Sequence, residues 1–209
     1  MQLGIIGMPL VGKSTLFELL TGSSDKGSPG KARTAIARIP DSRIDYLSGV
    51  FKPKKTTYAQ LELIDIPGLT PGGEKNAALF LDSVRRADAL LHVVRLFDDE
   101  AVPFIYDSID PFRDIETISY ELLLSDLDLI EKRIDRINSN KKRSQMLKEL
   151  GLLERLRDAL SEEKPISSVT IEADEQEIMS TYQFLTNKPI LICLNISEAD
   201  IGQADYPQQ

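Results

Sequence analysis

Near the amino terminus, glycine, lysine and serine occur at a spacing that permits one particular chemistry. Two glycines, Gly7 and Gly12, are followed at once by Lys13 and Ser14, after an apolar run at residues 3–6. In this pattern successive backbone N–H groups curve around phosphate oxygens, and the lysine ammonium reaches the β and γ phosphates. The serine hydroxyl is then placed to bind Mg²⁺. We therefore predict a site for a nucleoside triphosphate with Mg²⁺.

The residues around this pattern predict the strand and the helix that such a loop requires. Residues 15–20 continue as an amphipathic helix that ends at Gly22, and its start turns the positive end of the helix dipole toward a bound anion. A glycine turn that matches by chance is therefore disfavoured. The loop residues that we expect to contact the nucleotide are Gly7, Pro9, Val11, Gly12, Lys13, Ser14 and Thr15.

A second polar pattern follows the alternating residues 58–65, which predict a β-strand. The strand delivers Asp65 at its end, and Gly68 completes an Asp-x-x-Gly signature. In nucleoside triphosphatases this carboxylate holds Mg²⁺, commonly through water, and the glycine N–H faces the γ phosphate. We expect Lys13, Asp65 and Gly68 to serve catalysis, and Ser14 and Asp65 to hold the metal.

Two glycine-rich tracts are candidates for loops that respond to the nucleotide. Residues 22–31 are polar and cannot hold regular structure, and residues 71–73 read Pro-Gly-Gly. Such segments order around the γ phosphate in nucleotide switches, although a plain surface linker also explains the first tract. Either Thr34 or Ser28 could supply a further hydroxyl to Mg²⁺, and we include Thr34 in the predicted metal site.

The composition limits the partners and the compartment. The 209 residues include 25 basic and 33 acidic side chains, a net charge of −8, which argues against a broad electrostatic contact with nucleic acid. A single cysteine, Cys193, cannot form an internal disulfide. No targeting sequence and no apolar run of membrane-spanning length is visible. We expect a cytoplasmic protein that does not enter a membrane.

From about residue 114 the periodicity becomes that of long helices. Apolar residues recur at spacings of three and four up to residue 137 and again over residues 146–160, so we expect two helices that pair antiparallel. A further helix is predicted over residues 172–185. We assign residues 1–112 and 186–209 to a phosphate-binding domain and residues 113–185 to an inserted helical arm.

Two short basic clusters lie in predicted turns. Lys141, Lys142 and Arg143 are at the predicted tip of the arm, and residues 52–55 contain three further lysines. A solvated turn is the commoner explanation of such clusters, and a local RNA or protein contact is the alternative.

Two further apolar runs, residues 89–94 and 189–194, predict buried strands. His92, the only histidine, lies in the middle of the first, so a packed core residue is favoured over a catalytic one. The base of a bound nucleotide lies at the end of the last strand in a parallel α/β sheet. The residues predicted to contact the base are therefore Asn195, Ile196, Ser197 and Glu198.

With these motifs placed, the sequence resembles the Obg-like ATPase family, the YchF-type branch of the translation-factor-related P-loop NTPases. Beyond the phosphate loop, the resemblance is carried by Pro40 to Arg43, Lys52-Pro53, His92 to Arg95, Ile109 to Pro111, Asp114 to Ile118, Glu121-Leu122, Asp126 to Asp128, Phe184 to Thr186 and Lys188-Pro189. It covers nearly the whole chain. The resemblance implies an α/β P-loop NTPase fold of the G-domain type, with a mainly parallel sheet and an inserted antiparallel coiled-coil arm.

The resemblance also implies Mg²⁺-dependent ATP hydrolysis and association with the ribosome. We expect the rest of the G domain and a TGS-type module to lie beyond Gln209. GTPases read guanine with an Asn-Lys-x-Asp segment, whereas here Ile196 stands for the lysine and Glu198 for the aspartate. Loss of the guanine contacts favours ATP, and GTP remains the alternative substrate.

Three residues depart from common patterns and bear on turnover. Leu69 follows Gly68 where many GTPases have a glutamine that orients the attacking water, so we expect slow hydrolysis. Leu10 replaces an asparagine that is usual in this family's phosphate loop, and Phe104 replaces a histidine near the nucleotide. The alternative function is a nucleotide-gated binding module with negligible hydrolysis.

Overall fold

The computed structural model describes residues 1–23, 31–70, 74–103, 106, 108–141 and 143–202. Its strands are β1 (Gln2–Ile6), β2 (Arg33–Arg38), β3 (Gln60–Asp65), β4 (Ala89–Arg95) and β5 (Ile190–Asn195). Its helices are α1 (Lys13–Thr21), α2 (Ser42–Phe51), α3 (Glu74–Arg86), α4 (Pro111–Asn138), α5 (Leu147–Ser161) and the short α6 (Gln176–Ser180), with single 3-10 turns at Arg143–Gln145, Ile166–Ser168 and Glu198–Asp200. The predictions for Ser28, residues 71–73, Phe104 and Lys142 lie outside the described residues.

A five-stranded sheet in the order β2-β3-β1-β4-β5 forms the centre of the described fold. β2 pairs antiparallel with β3, and the other neighbours pair parallel, which confirms the predicted mainly parallel sheet. Because parallel strands end at the same edge, the residues that follow β1, β3 and β5 gather there. The glycine loop, Asp65 and Asn195 therefore share one edge of the sheet.

The burial of each strand depends on its position in the sheet. β4 lies between β1 and β5 and is buried along its whole length, as its apolar run predicts. Helices α1, α3 and the first half of α4 contribute Phe17, Phe80 and Ile118 to the same buried cluster as Ile5 and Val93. The helices thus bury the apolar surface of the central strands.

The prediction that residues 189–194 form a buried strand is correct for the strand but wrong for its burial. Ile190, Leu191 and Ile192 in β5 are all exposed. Among the described strands β5 pairs with β4 alone, because it lies at the edge of the sheet. An apolar run shows that a strand can be buried, but it does not show the strand's position in the sheet.

Helices α4 and α5 pack against each other in antiparallel orientation. Arg133 donates from Nε to Glu149 Oε1 at 2.7 Å and from Nη2 to Oε2 at 3.0 Å. Near the other ends, the Tyr120 hydroxyl donates to Glu163 Oε2 at 2.9 Å. A second apolar cluster, which includes Ile130 and Leu153, fills the space between the two helices. None of the helices in the described ranges is both long and apolar enough to cross a membrane.

The predicted helix over residues 172–185 is wrong in length, since only Gln176–Ser180 is helical. After this helix, a buried carboxylate binds the backbone at residues 185 and 186. Asp126 Oδ1 accepts from Leu185 N at 2.9 Å, and Oδ2 accepts from Thr186 N and Thr186 Oγ1, both at 2.8 Å. Burial raises the pKa of Asp126, and these hydrogen bonds partly oppose that rise. Asp126 therefore fixes the chain that returns to β5.

We expect Asp126→Ala to lower the free energy of unfolding by about 2–4 kcal/mol, because it leaves buried donors unpaired. Urea unfolding measures this change. Asp128→Ala is the matched control on the same helix, since the Asp128 side chain is 62% exposed and pairs with Lys132 at the surface. Asp128→Ala should lower the free energy of unfolding by about 0.5 kcal/mol or less. Equal losses in the two variants would contradict the assignment of Asp126.

His92 is buried in β4, in agreement with the interpretation as a packed core residue. Its Nε2 has no hydrogen-bond partner among the described residues. Burial, with a smaller contribution from the Lys13 charge, lowers the pKa of His92 from 6.5 to about 4. The unfolded chain therefore binds more protons than the folded chain between these two pH values.

From this difference we expect stability to fall as the pH drops from 6.5 toward 4. The contribution of His92 to that slope is up to about 1.4 kcal/mol per pH unit. In His92→Leu this contribution should be lost, while the contribution of the carboxylates to the pH dependence of stability should remain. Urea unfolding at several pH values in this window compares the two proteins, and parallel profiles would contradict the prediction.

Candidate nucleotide site

The loop between β1 and α1 depends on backbone conformations that few residues adopt. Gly7 has φ +144 and Gly12 has φ +97. A Cβ on Gly7 would lie 2.3 Å from the carbonyl oxygen of Val93, and one on Gly12 would lie 2.4 Å from Asn195 Nδ2. The two glycines are thus required by conformation and by space. Leu10 has φ 62, in the left-handed region where glycine or asparagine is favoured.

Lys13 crosses the inside of this loop. Its ammonium donates to the carbonyl oxygen of Met8 at 2.5 Å, and the residue is only 6% exposed. Burial lowers the pKa of Lys13 to about 8, although the charge of Asp65 opposes the change. A Cβ on Gly68 would lie 3.0 Å from Lys13 Nζ and 2.7 Å from the backbone nitrogen of Pro9. The lysine therefore presents a poorly solvated cation between the loop and Gly68.

Beside the lysine, two polar groups converge on one carboxylate oxygen. Ser14 Oγ donates to Asp65 Oδ2 at 2.8 Å, and Arg33 Nε donates to the same oxygen at 2.9 Å. Arg33 Nη2 also lies 3.2 Å from Glu18 Oε1, and the guanidinium lies 4.8 Å from the centre of the Phe17 ring. Asp65 is buried in this cluster. The predicted metal ligands Ser14 and Asp65 are thus in direct contact.

Arg33, rather than Thr34, faces this cluster. The antiparallel register places Arg33 opposite Asp65 and Thr34 opposite Ile64. Since successive side chains of a strand point to opposite faces, the exposed Thr34 lies on the other face of β2. For Thr34 to reach a metal ion at Asp65, the start of β2 would have to change its pairing.

The segment after β5 contacts the loop from its other side. Asn195 Nδ2 donates to the carbonyl oxygen of Val11 at 3.0 Å, so its amide joins the last strand to the phosphate loop. Ile196 and Ser197 are half-buried, whereas Glu198 is exposed at the start of a 3-10 turn. These residues lie at the same edge of the sheet as Lys13 but do not line the same cavity.

A cavity of about 570 Å³ opens in front of the loop. Of the predicted site residues it brings together Pro9, Lys13, Ser14, Asp65 and Gly68. Gly7, Val11 and Gly12 form the turn behind it, and Thr15 is exposed in the first turn of α1. No motif in the sequence indicates the further lining residues Glu18, Lys31, Arg33, Thr70, Asn76 and Leu79. Only the alternation of β2 together with its register against β3 could have identified Arg33.

Comparison with known proteins identifies the family to which this chain is related. Residues 2–152 match the family model described as 50S ribosome-binding GTPase. Over 209 residues the chain is 37% identical to a Bacillus subtilis protein named Ribosome-binding ATPase YchF, with 95% of this chain and 57% of that protein covered. It is also 37% identical over 214 residues to Obg-like ATPase 1 of Oryza sativa subsp. indica, with 96% and 54% covered.

A solved structure supports the same relationship. The structure of the Schizosaccharomyces pombe YchF GTPase matches with a TM-score of 0.79 at 31% identity, and covers 96% of this chain and 57% of that one. The chain therefore spans somewhat more than half the length of these relatives. Together with the mainly parallel α/β sheet of the P-loop GTPase type, these matches show that the chain belongs to the Obg-like ATPase family, in its YchF-type branch.

Proposed function

We propose that this chain binds a nucleoside triphosphate with Mg²⁺ and hydrolyses it slowly, with ATP preferred over GTP. The observation that carries the proposal is the cavity in which the buried Lys13 ammonium lies beside the contact of Ser14 with Asp65. A ring of backbone N–H groups and one cation suits the β and γ phosphates. A hydroxyl and a carboxylate oxygen suit Mg²⁺.

The residues present fit a divalent cation. The Asp65 oxygen that accepts from Ser14 also accepts from a guanidinium, so this corner already attracts positive charge. Ser14 and Asp65 would hold Mg²⁺, Asp65 directly or through water. When bound, the ion neutralises negative charge on the phosphate oxygens.

In this proposal the chain's own residues act by positioning and by electrostatics. Lys13 places a desolvated positive charge at the phosphates, where it is worth more than in water. Gly68 lies against the loop and beside the Lys13 ammonium, where a side chain would collide with Pro9, and in this proposal its backbone N–H donates to the γ phosphate. No side chain is required as a nucleophile, since phosphoryl transfer depends on alignment and charge stabilisation.

We expect slow hydrolysis because the side chain after Gly68 cannot orient the attacking water. Leu69 is buried in the core, and its backbone N–H donates to the carbonyl oxygen of Gly7 at 3.4 Å. The side chain at this position therefore packs inward and has no polar group to orient water. This observation also favours the second candidate, a nucleotide-gated binding module with negligible hydrolysis.

The names of the relatives suggest the partner. Proteins called ribosome-binding ATPases match almost the whole of this chain, so we propose a cytoplasmic nucleotide switch that associates with the ribosome. In this proposal residues 113–185 form the inserted coiled-coil arm, to which the antiparallel pair α4 and α5 contributes. RNA contacts are proposed at the exposed Lys141 and Arg143 between these helices and at the exposed turn of residues 52–55.

We expect Lys13→Ala to weaken ATP binding by about 100-fold or more, because charged hydrogen bonds to the phosphates contribute about 1.5–3 kcal/mol each. Isothermal titration calorimetry with Mg²⁺ present measures the affinity. Lys54→Ala is the matched control, since Lys54 is exposed and does not line the cavity. Undiminished affinity in Lys13→Ala would refute the site.

The base preference is tested by rebuilding the guanine-reading segment. The double variant Ile196→Lys with Glu198→Asp should raise GTP affinity about tenfold or more, because an aspartate accepts the N1–H and amino protons of guanine. ATP and GTP are titrated side by side into both proteins. A wild-type chain that already binds GTP more tightly than ATP would contradict the proposed preference.

A further inference from the structure

The corner of the site that suits Mg²⁺ contains a cation from the chain itself. Arg33 Nε lies 2.9 Å from Asp65 Oδ2, the oxygen that also accepts from Ser14 Oγ at 2.8 Å. Arg33 Nη2 lies 3.5 Å from the carbonyl oxygen of Ser14 and 3.2 Å from Glu18 Oε1. One guanidinium thus contacts the Asp65 carboxylate, the backbone carbonyl of Ser14 and a second carboxylate, that of Glu18.

This ion pair is not a surface pair of small effect. The side chains of Arg33 and Asp65 are only 15% and 9% exposed, so solvent screens their attraction weakly. The guanidinium also lies over the face of Phe17. Arg33 is the first residue of β2, and its backbone is held in register opposite Asp65. The guanidinium is therefore fixed at several points.

A guanidinium on Asp65 Oδ2 and a magnesium ion held by Asp65, directly or through water, repel each other and compete for the same negative charge. Mg²⁺ approaches its oxygen ligands to about 2.1 Å and requires near-octahedral geometry around itself. A hydrogen-bonded guanidinium beside that oxygen would place two cations within a few ångströms of each other in a poorly screened corner. The ion pair of Arg33 with Asp65 therefore weakens metal binding at Asp65.

We propose that Arg33 is a further positioning residue of this site, a built-in cation that neutralises Asp65 in the absence of Mg²⁺ and sets the Mg²⁺ concentration that nucleotide binding requires. The inference rests on the proposed function. Two effects of opposite sign follow from it. Without metal, Arg33 reduces the repulsion between Asp65 and the phosphates, and with metal it competes for Asp65.

The test compares wild type with Arg33→Gln, and Arg38→Gln is the matched control. Arg38 lies on the same strand, contacts the Tyr58 ring at 3.3 Å and does not line the cavity. ATP binding is measured by calorimetry in EDTA and over a series of Mg²⁺ concentrations. Arg33→Gln should weaken binding in EDTA about threefold or more and lower the Mg²⁺ concentration for half-maximal binding about tenfold. Arg38→Gln should change neither value.

Other outcomes would overturn the proposal. A residue that only contacts phosphate would weaken binding equally in EDTA and in Mg²⁺, and a purely structural residue would lower thermal stability without moving the Mg²⁺ half-point. A shift of the same size in Arg38→Gln would show a general charge effect. If Arg33→Gln does not fold, Arg33→Lys should lower the half-point about threefold, because an ammonium lacks the fork of donors. An unchanged half-point in that variant also overturns the proposal.

Direct metal binding separates this inference from the proposed function. Mn²⁺ is titrated into each chain without nucleotide and followed by electron paramagnetic resonance. Arg33→Gln should bind Mn²⁺ about tenfold more tightly than wild type, and equal binding would overturn the role of Arg33. Failure of wild type to bind ATP at any Mg²⁺ concentration would instead refute the proposed function.

Discussion

The parallel pairing of β1 on both sides is the constraint on which the site depends. Ile5 lies opposite Asp65 on β3, and Ile6 lies opposite His92 on β4. This register makes the chain leave the sheet at Gly7, beside the end of β3, so the loop and the carboxylate lie next to each other. It also places the carbonyl of Val93 so close to Gly7 that a side chain there is excluded. A shift of one residue would separate the loop from its carboxylate and reverse the faces of β1.

Many residues that carry the family resemblance hold the fold rather than the nucleotide. Asp41 accepts from the backbone N–H of Arg43 at 2.9 Å and caps α2, and Asp110 accepts from that of Arg113 at 3.1 Å and caps α4. Lys188 donates to the carbonyl oxygen of Arg85 at 2.8 Å near the end of α3. These capping and clamping contacts determine where the helices begin and end. They thereby position the strands whose ends form the site.

The sequence predicts the parts of the molecule whose signals are local. The glycine loop, the strand that ends at Asp65 and the long amphipathic helices depend on spacing along the chain, and the structure contains each of them. The sequence-based prediction is wrong where contacts between residues distant in sequence determine the length of a helix or the burial of a strand. Asp126 binds the backbone of Leu185, beyond the short helix Gln176–Ser180, and the edge position of β5 leaves its apolar residues exposed. Arg33 enters the cavity because of an antiparallel register that no local pattern reveals.

Helix α4 belongs to both apolar clusters of the described chain. Ile118 packs with the sheet, whereas Ile130 and Ile134 pack with α5. At a rise of about 1.5 Å per residue, roughly 30 Å separate Ile118 from the end of the helix at Asn138. A rigid helix of this length amplifies small movements. A tilt of about 5° at Ile118 would displace the C-terminal end of α4 by about 2.6 Å, whereas the residues near Ile118 would hardly move.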